Sequence, residues 1–119
     1  MLKLAVVGSR EFNDYTLLTL FLDAYKAKTP ELILVSGGAV GADELAERYA
    51  KENNLQMIVF KPDWKKYGKT AGFLRNLTIV EEADEVIAFW DGESRGTLDS
   101  INKAKKIKKP LLEVKYKEL

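Results

Sequence analysis

A chain of 119 residues, 46% of them hydrophobic, can bury one core and is too short for two, so a single domain over 1–119 is expected. Its 19 basic and 18 acidic residues leave a net charge of +1, which excludes a global field that would by itself draw the protein to nucleic acid or an anionic membrane. The absence of cysteine and histidine removes disulfides, Cys/His zinc sites, thiol nucleophiles and imidazole acid–base catalysis, so chemistry falls to carboxylates, hydroxyls, Arg, Lys and the backbone, with no metal or cofactor expected.

Leu2 to Val7 is an apolar run ending at Gly8-Ser9-Arg10, which predicts a buried first strand with a loop at its carboxyl end. Asn13 or Asp14 caps a helix whose Leu18, Phe21, Leu22 and Tyr25 share one face, and Thr29-Pro30 stops it. Leu32 to Val35 lacks polar alternation, as a parallel strand covered on both faces should. The run breaks at Ser36-Gly37-Gly38. After Gly41 a helix follows, with Ala42, Leu45, Ala46, Tyr49 and Ala50 inward and Asp43, Glu44, Glu47, Arg48, Lys51 and Glu52 on the opposite face. Asn54-Leu55 turns into a third strand, Gln56 to Phe60, and 61–68 reads as a polar loop bearing Asp63, Trp64 and Tyr67. From about Thr70 the spacing of Phe73, Leu74, Leu77 and Val80 predicts a helix through Ala83. Strand four is Glu85 to Trp90 and Asp91 to Arg95 its loop. Gly96-Thr97 opens a last helix with Leu98, Ile101, Ala104 and Ile107 inward, and Pro110 ends it before strand five, Leu111 to Tyr116. No stretch reaches the length of a membrane span, and the apolar part of MLKLAVVGS is too short for a signal peptide, so a cytoplasmic location is expected.

This β-α alternation predicts a Rossmann-like α/β sandwich with a five-stranded, mainly parallel sheet, and topology rules favour the order 3-2-1-4-5. Ligands in such sheets bind beyond the carboxyl ends of the strands where the order reverses, here between strands one and four. Ser9 and Arg10, Ser36 to Gly38, Asp63 and Trp64, and Asp91, Gly96 and Thr97 then share one rim. Glycine amides and a helix N-terminus suit an anion, placed nearer the Gly37-Gly38 backbone because Asp43 and Glu44 start the helix; Asp43 is left to contact a hydroxyl. A tight turn explains the same glycines, and Arg10 and Arg75 read either as a phosphate clamp, with Thr97 Oγ and its N–H capping a second phosphate, or as an ion-paired and a solvated side chain. Trp64, Tyr67 and Trp90 offer either a stacking face for a base or core packing. The lysines at 103, 105, 106, 108 and 109 suit a helix C-terminus; with Lys115 and Lys117 they also form the one candidate nucleic-acid patch.

VVGSREF, VSGGAVGADELAERYA, PDW-x-x-YGK-x-AG-x-x-RN and RGTLDSI, in this order, resemble the SLOG superfamily and specifically its small YspA/YpsA-related branch, nearly end to end. The resemblance implies a Rossmann-like fold and a pocket for a nucleotide or nucleotide derivative, such as an ADP-ribose-like signal, acting as sensor or binding module. It marks Gly8, Ser9, Arg10, Gly37, Gly38, Gly41, Asp43, Arg75, Asn76, Gly96 and Thr97, and related proteins imply a homo-oligomer. Two relatives supply the alternatives. DprA proteins, which share a similar motif series, bind single-stranded DNA, a partner that the near-neutral charge disfavours here. The LOG phosphoribohydrolases share the Gly-Thr but place a Glu three residues after the Thr, where this chain has Ser100, so hydrolysis of an N-glycosidic bond is expected to be absent or feeble.

Overall fold

In the computed structural model, which describes residues 1–116, the chain order is β1 (Leu2–Gly8), α1 (Tyr15–Lys28), β2 (Leu32–Ser36), α2 (Ala42–Glu52), β3 (Gln56–Val59), α3 (Trp64–Tyr67), α4 (Ala71–Glu82), β4 (Glu85–Trp90), α5 (Arg95–Lys106) and β5 (Leu111–Lys115). Every neighbouring strand pair is parallel and the sheet order is β3-β2-β1-β4-β5, the expected Rossmann-like arrangement with its reversal between β1 and β4. Period-two alternation splits the core between two faces. Leu4, Val6, Leu34, Ile87 and Phe89 meet Leu18 and Leu22 of α1 and Ala46 and Tyr49 of α2. Ala5, Val7, Val35, Val86 and Ala88 meet Ile79 and Val80 of α4 and Ile101 and Ala104 of α5. Central strands buried on both faces explain why their sequences carry no polar alternation.

The helix starts follow local chemistry. Asp14 caps α1 by accepting the Leu17 N–H at 3.0 Å, and Thr29 closes it. The segment after β3 departs from the loop expected there. Asp63 accepts the Lys66 N–H at 3.1 Å and nucleates α3, and a 3₁₀ turn at Gly68–Thr70 leads into α4. The inward faces of α4 and α5 are also rotated from the expected stripes. Phe73 and Leu74 are 47% and 43% exposed, Leu98 and Ile107 37% and 40%, while Ala71, Asn76, Ile79 and Val80 are buried on α4 and Thr97, Ser100, Ile101 and Ala104 on α5. The first turn of α4 borders a cavity at Phe73, so this large apolar residue has open volume beside it.

Candidate functional site

At the carboxyl ends of β1 and β4, where the strand order reverses, lies a cavity of about 560 Å³, within the size range of small-molecule sites. Its floor comes from the end of β1. Gly8 is packed so closely that a Cβ there would stand 2.6 Å from Ala42 Cβ and 2.7 Å from Phe89 O. Ser9, almost wholly buried, donates its N–H to Phe89 O at 3.1 Å, and its Oγ accepts the Asp91 N–H at 3.3 Å. Its carbonyl accepts the N–H groups of Phe12 and Ala42. Ser9 thus joins β1, the loop after β4 and the start of α2. Arg10 follows on the exposed rim.

The wall between β2 and α4 differs from the reading of the sequence. Asp43 belongs to the buried side of α2 at 7% exposure, where the stripe had placed it on the polar face. The cause is the break after β2: Asp43 Oδ2 accepts the N–H groups of Gly37 at 3.2 Å and Ala39 at 3.0 Å, and the Gly38 N–H goes to Ser36 Oγ at 3.3 Å. The amides expected to cradle an anion near Gly37-Gly38 are therefore bound internally. Arg75 locks the same loop from α4, donating from Nη1 to Gly37 O at 2.6 Å and Phe60 O at 3.4 Å. A Cβ at Gly37 would displace the Arg75 guanidinium, so glycine there is what lets this lock form. Burial raises the Asp43 carboxyl above its ordinary range, opposed by the Ala39 N–H, the Arg75 charge and the Gly37 N–H. Burial also lowers Arg75, opposed by Asp43 and reinforced by Arg10.

The opposite wall is the start of α5. Asp91 Oδ1 accepts the N–H groups of Glu93 at 2.8 Å and Ser94 at 2.7 Å, a turn that presents Ser94 as N-cap. Gly96 and Thr97 occupy the first turn, where amides are not consumed by the helix. A Cβ on Gly96 would meet no atom within 4 Å, so this residue faces open space in the cavity. Thr97 Oγ1 shares a hydrogen bond with Ser94 Oγ at 3.2 Å. Asn76 braces the wall: its Nδ2 donates to Gly96 O at 3.3 Å and Asp99 Oδ2 at 3.1 Å, while its Oδ1 accepts from Arg75 Nε at 3.1 Å.

Gly8, Ser9, Arg10, Asp43, Trp64, Arg75, Asn76, Asp91, Gly96 and Thr97 thus line one cavity. Ser36, Gly37, Gly38, Gly41 and Asp63 do not; they shape the β2–α2 loop or cap α3. The cavity also takes in Glu11, Lys69, Phe73, Glu93, Ser94 and Ser100, which the sequence reading left out of the site. Ser94 was findable as a capping residue two positions before Gly96, and Lys69 lies in the YGK segment; Phe73 gave only a core signal. Among the aromatics, Trp64 is 56% exposed at the cavity, Tyr67 lies exposed away from its lining, and Trp90 is half-buried with its Nε1 on Ser94 O. Of the basic residues near the end of α5, Lys103 pairs with Asp99, Lys105 faces Glu113 at 3.4 Å, and Lys109 donates to Ala83 O, each engaged within the fold. Lys117 lies outside the described residues.

Comparison with known proteins places these features in a family. Residues 2–67 match the model of the YspA, cpYpsA-related SLOG family. The Gene 61 protein of Mycobacterium phage D29 is 34% identical over 94% of this chain and 95% of its own length. The structure of TM1055 superposes with a TM-score of 0.70 at 25% identity, over 93% of this chain and 72% of that one. DNA processing protein A from Helicobacter pylori, described for its single-stranded-DNA binding mode, gives 0.72 at 26% identity over 94% of this chain and 64% of its own. DprA from Streptococcus pneumoniae, at 22% identity and a TM-score of 0.74 over 95% of this chain and 50% of that one, shares the fold.

Proposed function

The chain belongs to the YspA, cpYpsA-related SLOG family, and on that premise we propose that its cavity binds a nucleotide or nucleotide derivative, a nucleoside phosphate or ADP-ribose-like molecule, as a sensor or binding module. The observation that carries this reading is the convergence of the open first turn of α5 at Gly96 with the Arg10 side chain on one cavity. Helix-terminal amides and an Arg fork both suit phosphate oxygens. Lys69 adds a second cation on the rim, and the exposed Trp64 offers a face for a base. The carboxylates of Asp43 and Asp91 are held by backbone N–H groups, which lowers their cost to an anionic ligand.

Binding rather than turnover fits the α5 wall. Cleaving an N-glycosidic bond builds positive charge at the anomeric carbon and calls for a carboxylate there, which the LOG phosphoribohydrolases place three residues after the Thr of Gly-Thr, on the first turn of the last helix. Ser100 occupies the relevant turn, buried, with its Oγ on Gly96 O at 3.4 Å, and Asp99 is taken up by Asn76 and Lys103 outside the cavity lining. Single-stranded DNA is the second reading, motivated by the likeness to the Helicobacter pylori protein. Against it, Lys103, Lys105 and Lys109 already serve Asp99, Glu113 and the end of α4. Mass spectrometry of small molecules retained by the purified protein, followed by isothermal titration with a nucleotide panel, tests the reading. A retained or titratable nucleotide supports it; a panel without binding rejects it.

A further inference from the structure

Asp43 presents an asymmetry that structural duty alone leaves unexplained. Both backbone N–H groups that it binds, from Gly37 and Ala39, converge on a single carboxylate oxygen, Oδ2. Among the described residues Oδ1 accepts no hydrogen bond, although the side chain is more than nine-tenths buried and lines the cavity. Oδ1 is not sealed in the core and keeps access to the open volume of the cavity, and an acceptor placed there is available to a donor on a ligand. That donor is not a phosphate, whose oxygens would meet Oδ1 as like charge; it is an O–H or N–H group. The fixed amides hold the carboxylate plane, so Oδ1 has one direction in which to accept. The phosphate-compatible groups, the α5 first turn and Arg10, belong to other walls of the same cavity.

Building on the nucleotide reading above, we propose that Asp43 Oδ1 accepts a ribose hydroxyl and makes the site select ribonucleotides over their deoxy counterparts. The ligand then spans the cavity with its phosphate toward α5 or Arg10 and its sugar edge toward Asp43. A site built to bind a hydroxyl discriminates against the analogue lacking it, because the bound ligand covers the acceptor and leaves it unpaired.

Asp43→Asn gives a specific probe. To keep the Gly37 and Ala39 bonds, the Asn must put its carbonyl oxygen where Oδ2 was, which places an N–H₂ donor where Oδ1 was. The loop stays bound while the polarity toward the cavity inverts. The experiment is calorimetric titration of adenosine, guanosine, cytidine and uridine 5′-monophosphates with their 2′-deoxy and 3′-deoxy forms. For the wild-type protein the expected preference is about 10- to 100-fold for the ribo form over at least one deoxy form. In Asp43→Asn the N–H₂ can only donate to the hydroxyl oxygen, without charge assistance, so the ratio should fall by about 5-fold, with thermal unfolding recording that the variant is folded. Equal affinity of the wild type for ribo and both deoxy forms overturns the inference and leaves nucleotide binding standing, as does a preference that is undiminished in Asp43→Asn. Failure of every nucleotide to bind removes both. The wild-type ratio alone decides the question if the variant does not fold.

Discussion

Two glycines in the same cavity separate stability from binding. Gly96 lies in the first turn of α5 with φ outside the left-handed region, and an added Cβ would meet nothing within 4 Å. Gly96→Ala should therefore leave the fold intact and stabilise it by about 0.4–1 kcal/mol through the smaller entropy of the unfolded chain. For a domain of this size that is a rise of about 2–6 °C in Tm. The same methyl projects into space that a phosphate must enter to reach the α5 amides. Overpacking of that kind costs about 1–3 kcal/mol, so nucleotide affinity should fall about 5- to 150-fold. Gly8→Ala is the contrasting change: its Cβ would stand 2.6 Å from Ala42 Cβ and 2.7 Å from Phe89 O, both inside the core, and should destabilise by about 1–3 kcal/mol. Urea denaturation gives the stabilities and calorimetric titration the affinities. Nucleotide binding unchanged in Gly96→Ala, or a loss of stability there as large as in Gly8→Ala, would refute the assignment of Gly96 to an open ligand wall.

Further outcomes follow from the same geometry. Arg10→Ala should weaken nucleotide binding by about 1.5–3 kcal/mol with unchanged unfolding, whereas Arg75→Ala should also lower stability, by about 1–3 kcal/mol, because it strands the Gly37 and Phe60 carbonyls; equal stability of both variants in urea would contradict this. The raised carboxyl of Asp43 means that the folded state holds its proton to higher pH than the unfolded chain, so this group's contribution to stability falls as pH rises from the ordinary value of 3.8 through the raised one. Arg75 from α4 and Glu47 from α2 face it and Arg10 acts on Arg75, and the comparison of wild type with Asp43→Asn isolates the carboxyl: the variant should gain relative stability between acid and neutral pH, measured as urea midpoints. Single-stranded DNA should bind weakly and non-specifically at physiological salt; submicromolar affinity lost on replacing Lys103, Lys105 and Lys109 by Glu would reverse the preference between readings. Incubation with nucleoside monophosphates, NAD and ADP-ribose should release no free base by chromatography, and multiple turnover abolished by Asp43→Asn or Asp91→Asn would make the protein an enzyme.

The sequence by itself determined the strands, their order and the strand-end rim where the cavity lies, because strands and turns depend on signals within a few residues of one another and few sheet orders connect them. Unbroken apolar runs require strands covered on both faces, Asp14 and Thr29-Pro30 bracket α1, and parallel connections through helices leave few sheet orders. It also brought Arg10, Arg75, Gly96 and Thr97 toward one place, since strand ends and helix starts in such a sheet share an edge. Only the tertiary structure decided what each group does there. Periodicity put Asp43 on the polar side of α2, but the amides of Gly37 and Ala39 draw it inward, a contact between residues whose separation depends on the turn after β2. The Gly37 and Gly38 amides read as open anion donors until Asp43 and Ser36 take them, and Arg75 read as a phosphate clamp until Gly37 O and Phe60 O accept from it. Phe73 carries core-like spacing yet stands exposed, because the first turn of α4 borders a cavity instead of covering a strand. Spacing along a chain fixes which residues share a face; which hydrogen-bond partner or empty volume that face meets is set by segments distant in sequence.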